Sequence, residues 1–67
     1  MTTNRLRALR KLKRLTQSEL GEMFGFNEQH IRRWELGTRK LDYKTACKLA
    51  EFFGVSVDYL LDEESNG

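Results

Sequence analysis

The chain has no proline, one cysteine and one histidine in 67 residues. With no second cysteine, Cys47 cannot close an internal disulfide, which points to a reducing, cytoplasmic setting. One cysteine and one histidine are too few for a protein zinc site, so no metal is expected. No apolar run approaches the ~20 residues that span a bilayer, so no membrane partner is expected either. Without proline, the stops between elements fall to glycine and to capping side chains. Acid is missing from the start of the chain: residues 1–14 hold Arg5, Arg7, Arg10, Lys11, Lys13 and Arg14 with no Asp or Glu.

What remains is a soluble balance, 39% hydrophobic and 33% charged. A chain this short is one domain, and such domains bury only about 60% of their unfolded surface. That leaves little room for a core and a catalytic cleft together. No nucleophile–base pair, cofactor motif or small-molecule pocket is suggested, and an enzyme is not expected. The net charge is +2, but Asp62, Glu63 and Glu64 concentrate acid at the end, and residues 1–61 alone carry +5. The expected organisation is a folded domain over 1–61 and an acidic, frayed tail over 62–67. A basic body suits a polyanion partner. The plain alternative for the basic start is a solvated helix face; a transit peptide is another, without a cleavage site to support it.

Local signals predict five helices and no strand. The first covers about 4–13, with Asn4 or Thr3 as cap and Leu6, Leu9 and Leu12 as its apolar spacing. Leu15 drops into the core from the turn that follows. The second opens on Thr16-Gln17-Ser18-Glu19, a capping box, carries Leu20, Met23 and Phe24, and stops at Gly25. Asn27 caps the third, which runs to Leu36 and stops at Gly37. Asp42 caps the fourth, whose face holds Tyr43, Ala46, Leu49, Ala50 and Phe53 before Gly54. Ser56 caps a short fifth with Val57, Leu60 and Leu61. Helices this short are hardly stable alone, so they must pack into one bundle, with Leu9, Leu20, Ile31, Trp34, Leu49 and Phe53 at its centre.

Helices 2 and 3 are separated only by Gly25, Phe26 and Asn27, and a glycine-bearing turn of that length is the mark of a helix-turn-helix. The second helix of such a unit enters the DNA major groove. At about 100° per residue, Ile31 and Trp34 fall on one face of helix 3 and Gln29, Arg32 and Arg33 on the other. Gln can pair bidentately with adenine and Arg with guanine.

The run from Leu6 to Leu60 resembles the helix-turn-helix family of lambda-type repressors, Cro proteins and Xre-like regulators. The resemblance rests on Leu9-Arg10, Leu15-Thr16-Gln17-Ser18-Glu19-Leu20, Gly25-Phe26, Ile31, Glu35-Leu36-Gly37 and Leu49-Ala50-Glu51-Phe52-Phe53-Gly54-Val55-Ser56. It implies an all-α, compact five-helix lambda-repressor-like bundle, without cofactor, that regulates transcription as a phage or bacterial repressor and binds double-stranded operator DNA as a homodimer. It implies base reading by Glu28, Gln29, Arg32 and Arg33. It implies phosphate contacts by Arg10, Gln17, Asn27, His30, Thr38, Arg39 and Lys40, and a structural ion pair between Arg10 and Glu35. For Gln17, at a helix start, the free amides and positive dipole end favour an anion independently. The sequence departs from the family at Leu41, where proline is common, at Gly21, where alanine is common, and at His30, where serine or threonine is common. Trp34 is larger than the usual aliphatic residue.

A different reading is an interaction module, antitoxin-like, that uses the helix-turn-helix as scaffold and presents Leu36, Phe52, Tyr59, Leu60 and Leu61 to a protein. A chain that stops just past helix 5 also fits the front of a longer regulator.

Overall fold

The structure, a computed structural model, describes residues 5–61. Within them the chain forms α1 (Leu6–Leu12), α2 (Gln17–Met23), α3 (Glu28–Leu36), α4 (Tyr43–Phe53) and α5 (Val57–Leu61), with no strand. The acidic tail, and Thr3 and Asn4 as caps, lie outside the described residues.

The helix starts follow local chemistry. Thr16 Oγ1 accepts from the Glu19 amide at 3.0 Å, and the Thr16 amide donates to Glu19 Oε1 at 2.8 Å. Asn27 Oδ1 accepts from the His30 amide, Asp42 Oδ2 from the Thr45 amide and Ser56 Oγ from the Tyr59 amide. The Thr45 amide holds the Asp42 carboxyl below its ordinary range, since a donated hydrogen bond favours the anion. α1 differs: its cap position is Arg5, which makes no capping side-chain bond. Its start is tied to α5 instead. The Arg5 amide donates to the Leu60 carbonyl at 3.0 Å, and the Arg5 guanidinium lies 4.3 Å from the centre of the Tyr59 ring.

The ends of α1 to α4 share one device. A residue in the left-handed region lets the next amide reach back to the last turn, as in Leu15 to Arg10, Phe26 to Gly21, Thr38 to Arg33 and Val55 to Ala50. Three of these residues are Gly25, Gly37 and Gly54; the fourth is Arg14, at φ 58°. Gly21 answers a different need. A Cβ there would lie 2.9 Å from the carbonyl carbon and oxygen of Asn27, so α2 meets the start of α3 backbone to backbone.

The core comprises Leu6, Leu9, Leu20, Ile31, Trp34, Leu41, Ala46, Leu49, Ala50 and Leu60. Leu15 is half-buried against it, as expected. Several expectations need correction. Leu12 is 78% exposed and Met23 51% exposed. Each stands two positions after a buried residue, Arg10 and Gly21, and so lies about 160° around the helix from the arc that faces the core. Tyr43 opens α4 and is 69% exposed, its hydroxyl beside Cys47 rather than among the core residues. Phe53 belongs to a half-buried rim cluster with Phe52 and Phe24 rather than to the centre. Leu6, Leu41 and Leu60 take central places. The supposed protein-docking patch is therefore broken up: Leu60 is fully buried and Phe52 packs against Phe24 and Phe53.

A left-handed conformation is unfavourable for a side chain with a Cβ by roughly 1–2 kcal/mol. Arg14→Gly is expected to raise stability by about 1 kcal/mol in chemical denaturation. A loss of stability would show that the Arg14 side chain, not the backbone, secures the turn.

Candidate nucleic-acid interface

α1 and α3 are fastened by one buried pair. Arg10 Nε donates to Glu35 Oε2 at 2.6 Å and Nη2 to Oε1 at 3.1 Å, while Nη1 donates to the Leu15 carbonyl at 2.8 Å. Gln17 Nε2, at the first position of α2, donates to Glu35 Oε1 at 3.1 Å. One carboxylate thus gathers α1, α2 and α3. Among the described residues no buried side-chain nitrogen or oxygen lacks a partner. Arg10 is 7% exposed, so its charge is neutralised inside the fold instead of facing solvent.

Above this pair lies a groove of about 1260 Å³ between α1, the start of α2 and α3. Arg7, Lys11 and Arg14 stand on one wall, and Glu28, Arg32 and Leu36 on the other. Gln17 and Ser18 border it too; their amides, in the first turn of α2, have no intrahelical acceptor. With Arg10 and Glu35 cancelling, the groove keeps a surplus of cations. A second groove of about 280 Å³ lies on the far side of α3, lined by Gln29, Arg32, Arg33, Leu36 and Thr38. Arg32 and Leu36 border both, so they form the ridge between them.

The residues singled out by sequence are therefore distributed unevenly. Gln17, Glu28 and Arg32 share the larger groove, and Gln29, Arg32, Arg33 and Thr38 the smaller. Arg39 and Lys40 are exposed in the loop after α3 and border neither. Asn27 and His30 are occupied with each other: His30 Nδ1 lies 2.9 Å from Asn27 Oδ1. We assign a proton to Nδ1 there, because a bare nitrogen would face the oxygen lone pairs. The Asn27 amide, 3.4 Å from the same nitrogen, then has no acceptor in it. The His30 ring rests against Phe26 and Trp34 at 5.2 and 6.0 Å. The sequence marks Arg7, Lys11 and Arg14 only as members of its basic opening, and Ser18 only within the capping box, with no individual contact assigned to them. The acid-free opening of the chain was the available signal for the first three. Among the described residues no cluster of metal-ligating side chains occurs, and no helix is long and apolar enough to cross a membrane.

Comparison with known proteins identifies the family. The family model described as Helix-turn-helix matches residues 6–60. The chain is 39% identical over 66 residues to the uncharacterized HTH-type transcriptional regulator YqaE of Bacillus subtilis, covering 98% of this chain and 57% of that protein. It is 34% identical over 61 residues to the SPbeta prophage-derived uncharacterized HTH-type transcriptional regulator YonR of the same organism, covering 91% and 56%. It is 38% identical over 55 residues to the uncharacterized HTH-type transcriptional regulator MJ0272 of Methanocaldococcus jannaschii, covering 82% and 83%. The chain spans little more than half the length of the two Bacillus proteins. No solved structure gives a significant match.

A buried pair is costly to break by halves. Glu35→Leu strands the Arg10 guanidinium and is expected to destabilise by roughly 3–5 kcal/mol, whereas replacing Arg10 and Glu35 together by Met and Leu should recover most of that loss. Thermal melts of Glu35→Leu, Arg10→Met and the double variant check this; a loss in the double variant equal to the sum of the two single losses would mean that the two side chains act independently.

Proposed function

Because the chain belongs to the Cro/C1-type helix-turn-helix family, we propose that it binds double-stranded DNA and regulates transcription, with residues 1–61 as the DNA-binding domain. The observation that carries this reading is the ridge of α3 standing between two grooves, the larger one lined by Arg7, Lys11 and Arg14. A major groove about 12 Å wide accepts a helix, and the phosphate strands on its two sides need cations and amide donors beside that helix. The arrangement supplies both. Phosphate contacts then set position and most of the affinity, and base contacts set preference.

In this reading Arg7, Lys11 and Arg14, with Gln17 and Ser18, hold one strand. Thr38, Arg39 and Lys40, in the loop after α3, hold the other. Gln29, Arg32 and Arg33 read base edges; Glu28, at the groove wall, accepts from a cytosine amino group. Arg10 serves as a strut. One α3 reaches only a few base pairs, so a useful operator requires two copies of the domain on a two-fold site, and occupancy of that site by a dimer represses by exclusion.

Selection of bound sequences from random duplexes tests the reading, and four variants on the enriched site resolve it. Lys11→Ala should weaken binding to all sequences alike and reduce the magnitude of the salt slope by about 1. Lys40→Ala should do the same. Gln29→Ala and Arg33→Ala should lower affinity for the preferred site by roughly 1–3 kcal/mol and relax the preference at particular base pairs. If Gln29→Ala and Arg33→Ala left the ratio of specific to non-specific affinity unchanged, α3 would not be the reading helix.

A further inference from the structure

From the position of Leu36 we infer that its side chain packs on the 5-methyl group of a thymine in the bound duplex, and so adds an apolar element to base selection. The inference rests on the DNA-binding reading above. Leu36 is 58% exposed, at the end of a helix whose other aliphatic residue, Ile31, is fully buried. It lies seven positions after Gln29, which puts the two within about 20° around the helix. It follows Arg32 by four positions and Arg33 by three, so both are its surface neighbours. With Arg32 it forms the ridge between the two grooves.

An exposed leucine amid arginines is poorly matched to water and to a phosphate strand. It is well matched to the one apolar group that the major groove displays, the thymine C5-methyl. Cationic surroundings speak against an apolar protein partner at the same spot, since its approach would desolvate Arg32 and Arg33 without pairing them. The ridge position adds geometry to this. If the larger groove takes one phosphate strand and the Thr38–Lys40 loop the other, the exposed α3 side chains between them point at base edges. Arg32 and Gln29 can satisfy donors and acceptors there, and Leu36 excludes water beside the methyl.

The test uses the site enriched from random duplexes, with each thymine replaced in turn by deoxyuridine, which removes only the methyl. At one or more thymines the parent protein should lose about three- to tenfold in affinity. The same replacement should change binding of Leu36→Ala by less than twofold, and Leu36→Met should retain part of the dependence. Leu36→Gln, which keeps the length but not the apolar end, should behave as Leu36→Ala and guards against an effect of shortening alone. Melting of these variants should stay near that of the parent, because the side chain is exposed. Indifference of the parent protein to every deoxyuridine overturns the inference, as does a loss that persists undiminished in Leu36→Ala. A change in the protein's solution mass on Leu36→Ala, with thymine dependence intact, would show that the side chain covers a second copy of the chain instead. Failure to enrich any duplex would bring down the DNA-binding reading itself, a different result from an enriched site whose methyl groups are ignored.

Discussion

Everything on the working face depends on one carboxylate, Glu35, which holds Arg10 from α1 and Gln17 from α2 against α3. Taking an arginine and a glutamate out of water is expensive, and a buried pair often adds little net stability over apolar residues of the same shape. Its consequence here is registry. A bidentate guanidinium fixes both distance and angle, where leucines would tolerate sliding. With α1 fixed in this way, Arg7, Lys11 and Arg14 face α3 across an open groove and do not scatter over the surface.

Two further constraints refine that geometry. Gly21 lets α2 approach Asn27 to a distance at which no Cβ would fit, which sets where α3 begins. Arg14 closes α1 in a conformation that, among the described residues, only glycine otherwise takes. A cation is thereby kept at the groove wall at some expense in backbone strain, a pattern common where function and stability compete.

Much of this was legible in the sequence because much of it is local chemistry. Thr16, Asn27, Asp42 and Ser56 cap as their types demand, and Gly25, Gly37 and Gly54 stop their helices. The inward turn of Ile31 and Trp34 follows from periodicity. Leu12 misled because a repeated three-residue spacing drifts out of the buried arc, and Met23 because the arc of α2 is turned toward Gly21, which carries no apolar signal. Leu41 gave no periodic signal, since it lies between helices. The groove was legible only in part. A run of cations reads equally well as a solvated face, and which of them face α3 is decided by packing across the chain. Arg14 carried no sign of its conformation, because arginine is not a residue that ordinarily takes it.

The claim that matters most is that α1, the start of α2 and α3 together form the DNA-facing surface. Amide chemical shifts recorded while a selected duplex is added to the labelled protein test it most directly. The expected changes cluster at Arg7, Lys11, Arg14, Gln17 and Ser18, along Glu28 to Leu36 and in the Thr38–Lys40 loop, with α4 and α5 little affected. Changes centred on Tyr43, Cys47 and Tyr59, with α3 left silent, would contradict it.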